Sequence, residues 1–452
     1  MLRAERLRNS RFCLPASIGA LAFMAGLTAW GHSSVDESGA LLGAPVWESR
    51  MEWLAGGDST QIQREGDTGR IRLTFSGILE SAPTVSGPWT PVGGARSPHV
   101  AEPTERRLFY RAGNPGREGV FSSRSVVDWR VSGPLQTHFD LAFAGSPDGI
   151  FPPRREKPYF DGSVAVGGTT VGVSLRVRGN SSLQECPFPK LKVKVSRAEA
   201  EGTPFEEARE VKIGTHCADG GRGTIGRLRD ERAAYRETLA YEVMEALGFL
   251  SPRVRRARIE FRDTSPVDAP NPGGWNLVRN AMLLEDPEVV AERLGGHALN
   301  DAELSELHGA QFGLQLITDL RLLHVLLGNW DYQLSEDGRG LWNTDVIRMP
   351  DGTHVPMAGD FDLCSWVTER VRSSAPRNYH PELPELDRQA RYELEEIRRQ
   401  VPPAVFAIAR DRFRVRLNDI KLWIRDADVD EEGRVNSLRH VDAFAGAMSA
   451  TE

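Results

Sequence analysis

Hydrophobic and polar positions change rhythm several times along the 452 residues. Phe12 to Trp30 is a run without charge, rich in Leu, Ala, Phe and Gly, and it follows Arg3, Arg6, Arg8 and Arg11. A basic stretch before a short apolar run is the layout of a secretory signal or an uncleaved anchor. The run barely reaches the roughly 17–25 residues that span a bilayer. A signal peptide or anchor is therefore expected over 1–32. A flexible stalk rich in Gly, Ser and Asp is expected over 33–60. Ile71, Leu73 and Phe75 then alternate with polar residues, and Gly87-Pro88-Trp89 marks a turn, so residues 61–113 read as a small all-β module. Gly, Pro and Ser are frequent in 114–155, which reads as a linker.

From Phe160 the pattern becomes mixed. Val171 to Val177 alternates as a strand. Leu191, Val193 and Val195 predict a second strand whose other face carries Lys190, Lys192 and Lys194. Leu239, Val243, Met244 and Leu247 repeat at helical spacing within Asp230 to Leu247, and Gly248 ends that helix. Strands are expected over Val254–Phe261 and Asn280–Glu285. Leu304–Leu327 is expected to form one or two core helices, because its apolar residues cover most sides. Tyr392–Val401 and Arg412–Ile424 are further helices, and 426–452 is a C-terminal tail.

Composition narrows the class. A net charge of −7 excludes the basic footprint of a general nucleic-acid binder. Contact with a membrane is expected only through the N-terminal segment. Beyond that segment stand three cysteines, Cys186, Cys217 and Cys364. In an exported protein this odd number allows one bridge, with Cys186 and Cys217 the better pair, and one free thiol. No C-x-x-C, Walker-type loop or G-x-S-x-G elbow occurs. Asp428, Asp430 and Glu432 have the spacing of a calcium loop, but Arg439 stands where a bidentate glutamate is needed, so a solvated turn is expected. His216 reads as a satisfied loop histidine and Cys364 as a buried apolar cysteine.

The candidate chemistry is concentrated between Leu326 and Trp366. Gly328 ends a core helix, Asn329-Trp330-Asp331 follows, and a hairpin leads to Asp360-Phe361-Asp362. Phosphoryl transfer needs one carboxylate to orient or deprotonate the attacking hydroxyl. It needs others to hold Mg²⁺, which prefers oxygen ligands shared with phosphates. A D-x-D pair alone is more often a surface turn. Upstream, a Gly-Asn-Ser-Ser turn (179–182) precedes the lysine row, where backbone N–H groups could approach phosphates. A solvated edge strand is the plainer reading of those lysines. The helix after them offers Glu242 or Glu237 to hold a lysine in place.

These segments together resemble a known family. Arg-Gly-Asn-Ser-Ser before Lys-Leu-Lys-Val-Lys, the helix Leu239-Ala240-Tyr241-Glu242, the strand end Leu283-Leu284-Glu285, Asn329-Trp330-Asp331 and Asp360-Phe361-Asp362 are similar, in order, to motifs of the spore-coat protein H (CotH) kinase family. The resemblance implies an α+β chain whose domain 156–425 is an atypical, protein-kinase-like, two-lobed domain. It implies transfer of phosphoryl from Mg-ATP to serine or threonine of a surface or envelope protein. Asp331 would be the catalytic aspartate, and Asp360 and Asp362 the metal ligands. Lys192, or else Lys190, would contact phosphate, and Arg178 and Ser181 would line the phosphate loop. Glu242 and Glu285 belong to the cofactor side. The family's loop asparagine is first met here at Asn343, a further metal ligand. Gly359 stands where the family has a tryptophan. The stretch 78–113 resembles a β-rich module found at the ends of large secreted bacterial proteins, which implies attachment.

Two other functions compete: a non-catalytic attachment protein on a kinase-like scaffold, and a metal-dependent hydrolase using Asp331, Asp360 and Asp362.

Overall fold

The computed structural model describes residues 60–65, 70–75, 78–82, 90–91, 99–101, 109–113, 119–143, 157–179, 188–216, 232–268, 271–307, 309–334, 341–369 and 384–450. The chain divides into two compact units, Met1–Trp53 and Leu54–Glu452, and every described residue belongs to the second. The expected signal, the stalk up to residue 59, Ser181, Cys186 and Cys217 lie outside the described residues. Among the described residues no helix is long and apolar enough to cross a membrane.

The β module contributes six short strands, β1 (Thr60–Glu65), β2 (Arg70–Phe75), β3 (Ile78–Ala82), β4 (Thr90–Pro91), β5 (His99–Ala101) and β6 (Phe109–Gly113). They form two three-stranded sheets, ordered β1-β2-β5 and β4-β3-β6.

The rest is mixed α+β, built on a closed seven-stranded barrel. Its strands are β7 (Val127–Gly133), β8 (Phe160–Val166), β9 (Thr169–Arg178), β10 (Lys190–Lys194), β11 (Glu210–Gly214), β12 (Val254–Asp263) and β13 (Asn276–Glu285). Neighbours pair antiparallel except β12 with β7, which run parallel and close the ring. Alternation decides which side chains enter it: Val171, Val173, Leu175 and Val177 from β9 meet Leu191 and Val193 from β10, Ile213, Ile259 and Leu283 in one apolar core. Burying each such side chain stabilises the fold by about 1.5–3 kcal/mol.

The stretch 114–155, expected to be a linker, supplies β7 and the helix α1 (Leu135–Phe143). Its Val131 and Leu135 are fully buried in the barrel core. The Gly and Pro content misled because it marks only the ends of short elements.

Helices α2 (Arg232–Ala246), α3 (Pro287–Arg293), α4 (Leu314–Leu327), α5 (Glu385–Gln400), α6 (Pro403–Arg414), α7 (Leu417–Asp426) and α8 (Glu431–Ala450) accompany the barrel. Leu239, Val243 and Met244 of α2 join Leu320, Leu323 and Leu327 of α4, with Phe406, Phe413 and Phe444, in a second core. The segment read as a tail is thus helix α8, buried through Val441, Phe444 and Met448. Helix 412–424 is split at Val415 and Arg416 without any glycine or proline to announce it. Asp430 accepts from Arg236, and the chain is helical from Glu431 onward.

Between α4 and α5 the chain makes two hairpins. β15 (Gln333–Leu334) pairs with β16 (Leu341–Trp342), and β17 (Thr344–Arg348) pairs with β18 (His354–Ala358). β14 (His297–Ala298), which precedes α4, adds to the free edge of β17. Gly352, at φ 82°, closes the β17–β18 turn.

Candidate functional site

The outer face of β9, β10 and β11 is a band of cations. The register sets Lys190 opposite Arg178, and Lys192 between Arg176 and Lys212. Because Leu191 and Val193 point into the barrel, the lysines of β10 all point out of it. They are nevertheless not a solvated edge, since Lys190 and Lys192 are 9% and 7% exposed.

Each of these lysines has its own carboxylates. Lys190 Nζ lies 3.3 Å from Asp360 Oδ1 and 3.2 Å from Asp362 Oδ2. Lys192 Nζ lies 2.6 Å from Glu210 and 2.8 Å from Asp286. Burial would lower the Lys192 pKa, but Asp286 and Glu210 outweigh it and hold the ammonium charged. Lys190, not Lys192, is therefore the one that reaches the D-x-D pair. The reason is position: Lys190 begins its strand, on the side where β18 ends.

Asp360 and Asp362 follow β18 on a short 3₁₀ turn, Phe361–Leu363. Asp362 is almost fully buried, whereas the Asp360 side chain is 49% exposed. Asp360 adopts a left-handed conformation, φ 53°, uncommon for a residue with a side chain. Tyr241 of α2 steadies it: the phenol oxygen accepts from the Asp360 N–H at 2.9 Å, and the ring meets Phe361 edge-on at 4.7 Å. Burial pushes the Tyr241 phenol up, with the Glu237 and Asp360 charges adding to the effect. A Cβ on Gly359 would stand 3.3 Å from the Tyr241 oxygen, so the chain passes close to the phenol here.

Asp331 is stitched to the same turn at two points. Gly328, left-handed at φ 60°, caps α4, and its carbonyl accepts from both the Ser365 N–H (3.0 Å) and the Ser365 hydroxyl (3.1 Å). On the other side, the Asn343 amide donates to the Asp331 carbonyl (2.7 Å) and to Oδ2 (3.1 Å). The Asn343 carbonyl accepts from the Gly359 N–H at 2.9 Å. Asn343 thus joins Asp331 to the residue before Asp360, although twelve residues separate it from Asp331. Trp342 completes the loop by donating its indole N–H to Asp331 Oδ1 at 3.3 Å.

Behind Asp331, Asn329 accepts from the Asp331 N–H at 3.1 Å, and its amide lies 3.0 Å from His324 Nδ1. With its oxygen so engaged, the Asn329 amide donates, and His324 accepts. His324 stacks on Tyr332 and is held neutral, its pKa lowered to about 3 by burial. A small cavity beside it is lined by Gly328, Asn329, Tyr332, Gln389 and His440, and none of the charged cluster lines it.

Other expected site residues lie elsewhere. Glu242 does not hold a lysine; it forms a two-pronged pair with Arg256, both contacts 2.8 Å and both partners buried. Glu237 pairs with His216 Nε2 at 2.9 Å, so the histidine expected to be satisfied is satisfied at one ring nitrogen, while its Nδ1 is buried without a hydrogen-bond partner among the described residues. Glu285 is enclosed by Arg253 and Arg293, which hold its carboxyl low against the opposing effect of burial. Cys364 is buried, and burial pushes its thiol up, away from nucleophilic use.

The residues that sequence reading passed over are Glu210, Lys212, Asp286 and Asp345, and Tyr241 was met only as part of a helix motif. Asp286 both caps α3 and receives Lys192. Asp345 is pushed up by burial, then by Asp286 and Asp360, while Lys212 and Arg178 oppose. Arg178 is thus within electrostatic reach of the cluster. The carboxylate oxygens of Glu210, Asp286 and Glu288 lie within 4.8 Å of one another, a set that could hold a metal ion. The Lys192 ammonium already stands on two of them. The apolar strand end before Glu285-Asp286 is a signal that could have pointed to Asp286.

No family model matches the chain, and no curated protein matches it. Among solved structures it is similar to the crystal structure of a Helicobacter pylori proinflammatory kinase, CtkA. The likeness covers 58% of this chain and 95% of that one, at 12% identity and a TM-score of 0.30, too slight to argue from.

Proposed function

We propose that the chain is a kinase-like phosphotransferase that moves the terminal phosphoryl of Mg-ATP to a serine or threonine hydroxyl. The observation that carries this reading is Lys190 of the barrel reaching both Asp360 and Asp362, while Asn343 ties Asp331 to the same turn. The barrel and the helical core would act as the two lobes, with the nucleotide between them.

The donor set suits magnesium. Asp360, Asp362 and the Asn343 amide offer hard oxygens, and two carboxylates beside one ammonium leave a net negative charge for a divalent ion. Bound magnesium would neutralise charge on the β- and γ-phosphates. Lys190 and Arg178 would add positive charge at the phosphates. Asp331 would orient the acceptor hydroxyl and take its proton. The acceptor is proposed to be a surface or envelope protein and the chain to be exported, on the strength of the basic and apolar segment at 1–32. The ordered likeness to CotH-type motifs supports the same chemistry.

The test is ADP release and phosphate incorporation by the full chain with Mg-ATP, beside Asp331→Asn and Asp360→Ala. Loss of turnover in both variants is expected. Turnover equal in all three proteins would overturn the reading.

A further inference from the structure

We propose that Trp342 is the acceptor-side gate of this site, and that the acceptor is a polypeptide bearing an apolar side chain beside its hydroxyl. The inference rests on the phosphotransfer reading and assigns the half of the site that no motif covers.

The argument starts from the two oxygens of Asp331. Oδ2 faces the Asn343 amide at 3.1 Å, and Oδ1 faces the Trp342 indole N–H at 3.3 Å. These neighbours differ in how firmly they are held. Asn343 is anchored twice more, through its second bond to the Asp331 carbonyl and through its own carbonyl on Gly359. Trp342 has its backbone fixed by the pairing of β15 with β16, but its side chain is on the surface, 57% exposed. Its hydrogen bond, at 3.3 Å, is also just longer than the usual N–H···O range. Of these two contacts, the one that yields to an incoming hydroxyl is therefore the indole's.

An exposed tryptophan is common on a protein surface and by itself means little. This one differs because its polar edge touches the reactive carboxylate while its apolar face is left to solvent. A ring of that kind binds an apolar side chain well, with little entropy to lose. A polypeptide that places its serine or threonine at Asp331 brings the next residue against Trp342. The hydroxyl proton passes to Asp331, and the hydroxyl oxygen bonds to the γ-phosphorus. The bond from that phosphorus to the β,γ-bridging oxygen breaks, and ADP leaves. With no acceptor bound, the indole covers Oδ1 and limits transfer to water.

Two substitutions in the full chain separate the roles. Trp342→Phe keeps a ring and removes the donor, and Trp342→Ala removes both. The probes are Mg-ATP alone and serine-centred peptides flanked by leucine or by aspartate. Trp342→Phe is expected to release ADP to water several-fold faster. Trp342→Ala is expected to raise KM for the leucine-flanked peptide about tenfold, leaving KM for ATP unchanged. Wild-type preference for the leucine-flanked peptide should vanish in Trp342→Ala. Unchanged ADP release in Trp342→Phe, or unchanged peptide preference in Trp342→Ala, would overturn the gate while wild type remains active. No difference between wild type and Asp331→Asn would instead overturn the phosphotransfer reading beneath it. Unaltered melting temperatures in both Trp342 variants confirm that folding is not what changed.

Discussion

Lys190 and Asp362 meet at 3.2 Å across 172 residues of sequence, one at the start of a barrel strand and the other on a buried turn. Asp360 shares the same ammonium from a partly exposed position. Removing the lysine leaves two neighbouring carboxylates without their common cation. Lys190→Met is expected to lower stability by about 3 kcal/mol. Millimolar Mg²⁺ should restore more of the melting temperature in this variant than in wild type, because the ion can replace the ammonium. Activity with ATP should fall at least about a hundredfold. Calorimetry with and without Mg²⁺ measures the first effect and ADP release the second.

Glu242 and Arg256 form a buried ion pair away from the cation band. Glu242→Ala strands the Arg256 guanidinium and should cost about 3–5 kcal/mol of stability. The folded fraction should keep the wild-type KM for ATP. Urea unfolding together with kinetics corrected for folded protein checks this. A raised KM would return Glu242 to the nucleotide side.

Gly328 is the pivot between α4 and Asp331. A Cβ there would stand 2.7 Å from Ser365 Cβ and 2.9 Å from a carbon of the His440 ring, on a backbone at φ 60°. Gly328→Ala is expected to cost about 2–4 kcal/mol by forcing both neighbours aside. Gly352→Ala, also at positive φ but with open space around it, should cost about 1 kcal/mol. Comparing the two melting temperatures separates crowding from backbone strain.

Acid should destabilise the fold through two histidines. Burial lowers the pKa of His324 to about 3 and of His440 to about 4, so both stay neutral when folded. An unfolded histidine takes up its proton near pH 6.5. Their neutral burial is therefore without penalty above pH 6.5, and stability is lost as pH falls from there towards 4. Each contributes ~1.4 kcal/mol per pH unit over that window. Urea midpoints between pH 7 and pH 5 should show the slope, and His440→Gln should make it shallower.

Much of the site is legible in the order and spacing of residues. Alternation placed Leu191 and Val193 opposite the lysines, and the helical spacing of Leu239, Val243 and Met244 placed α2 in a core. Trp330 and Phe361 beside acids after a core helix and a hairpin marked out Asp331, Asp360 and Asp362. These signals are local, because strand and helix periods are properties of neighbouring residues. The reading of 114–155 as a linker gave weight to its Gly, Pro and Ser and passed over the alternation of Val127, Trp129 and Val131 with Asp128, Arg130 and Ser132 that forms β7.

Residue types and order along the chain determined the elements, the cation-rich strand face and the three aspartates worth attention. Only the tertiary structure decided which lysine meets which acid. The strand register points Lys190 and Lys192 out of the barrel, and packing of the other elements against it sets Lys190 on Asp360 and Asp362 and leaves Lys192 with Glu210 and Asp286. It likewise gave Glu242 to Arg256 and Glu285 to Arg253 and Arg293. Ion pairs depend on distances of a few ångströms between residues far apart in sequence. No local pattern carries those distances; the packing of the barrel against the helices does.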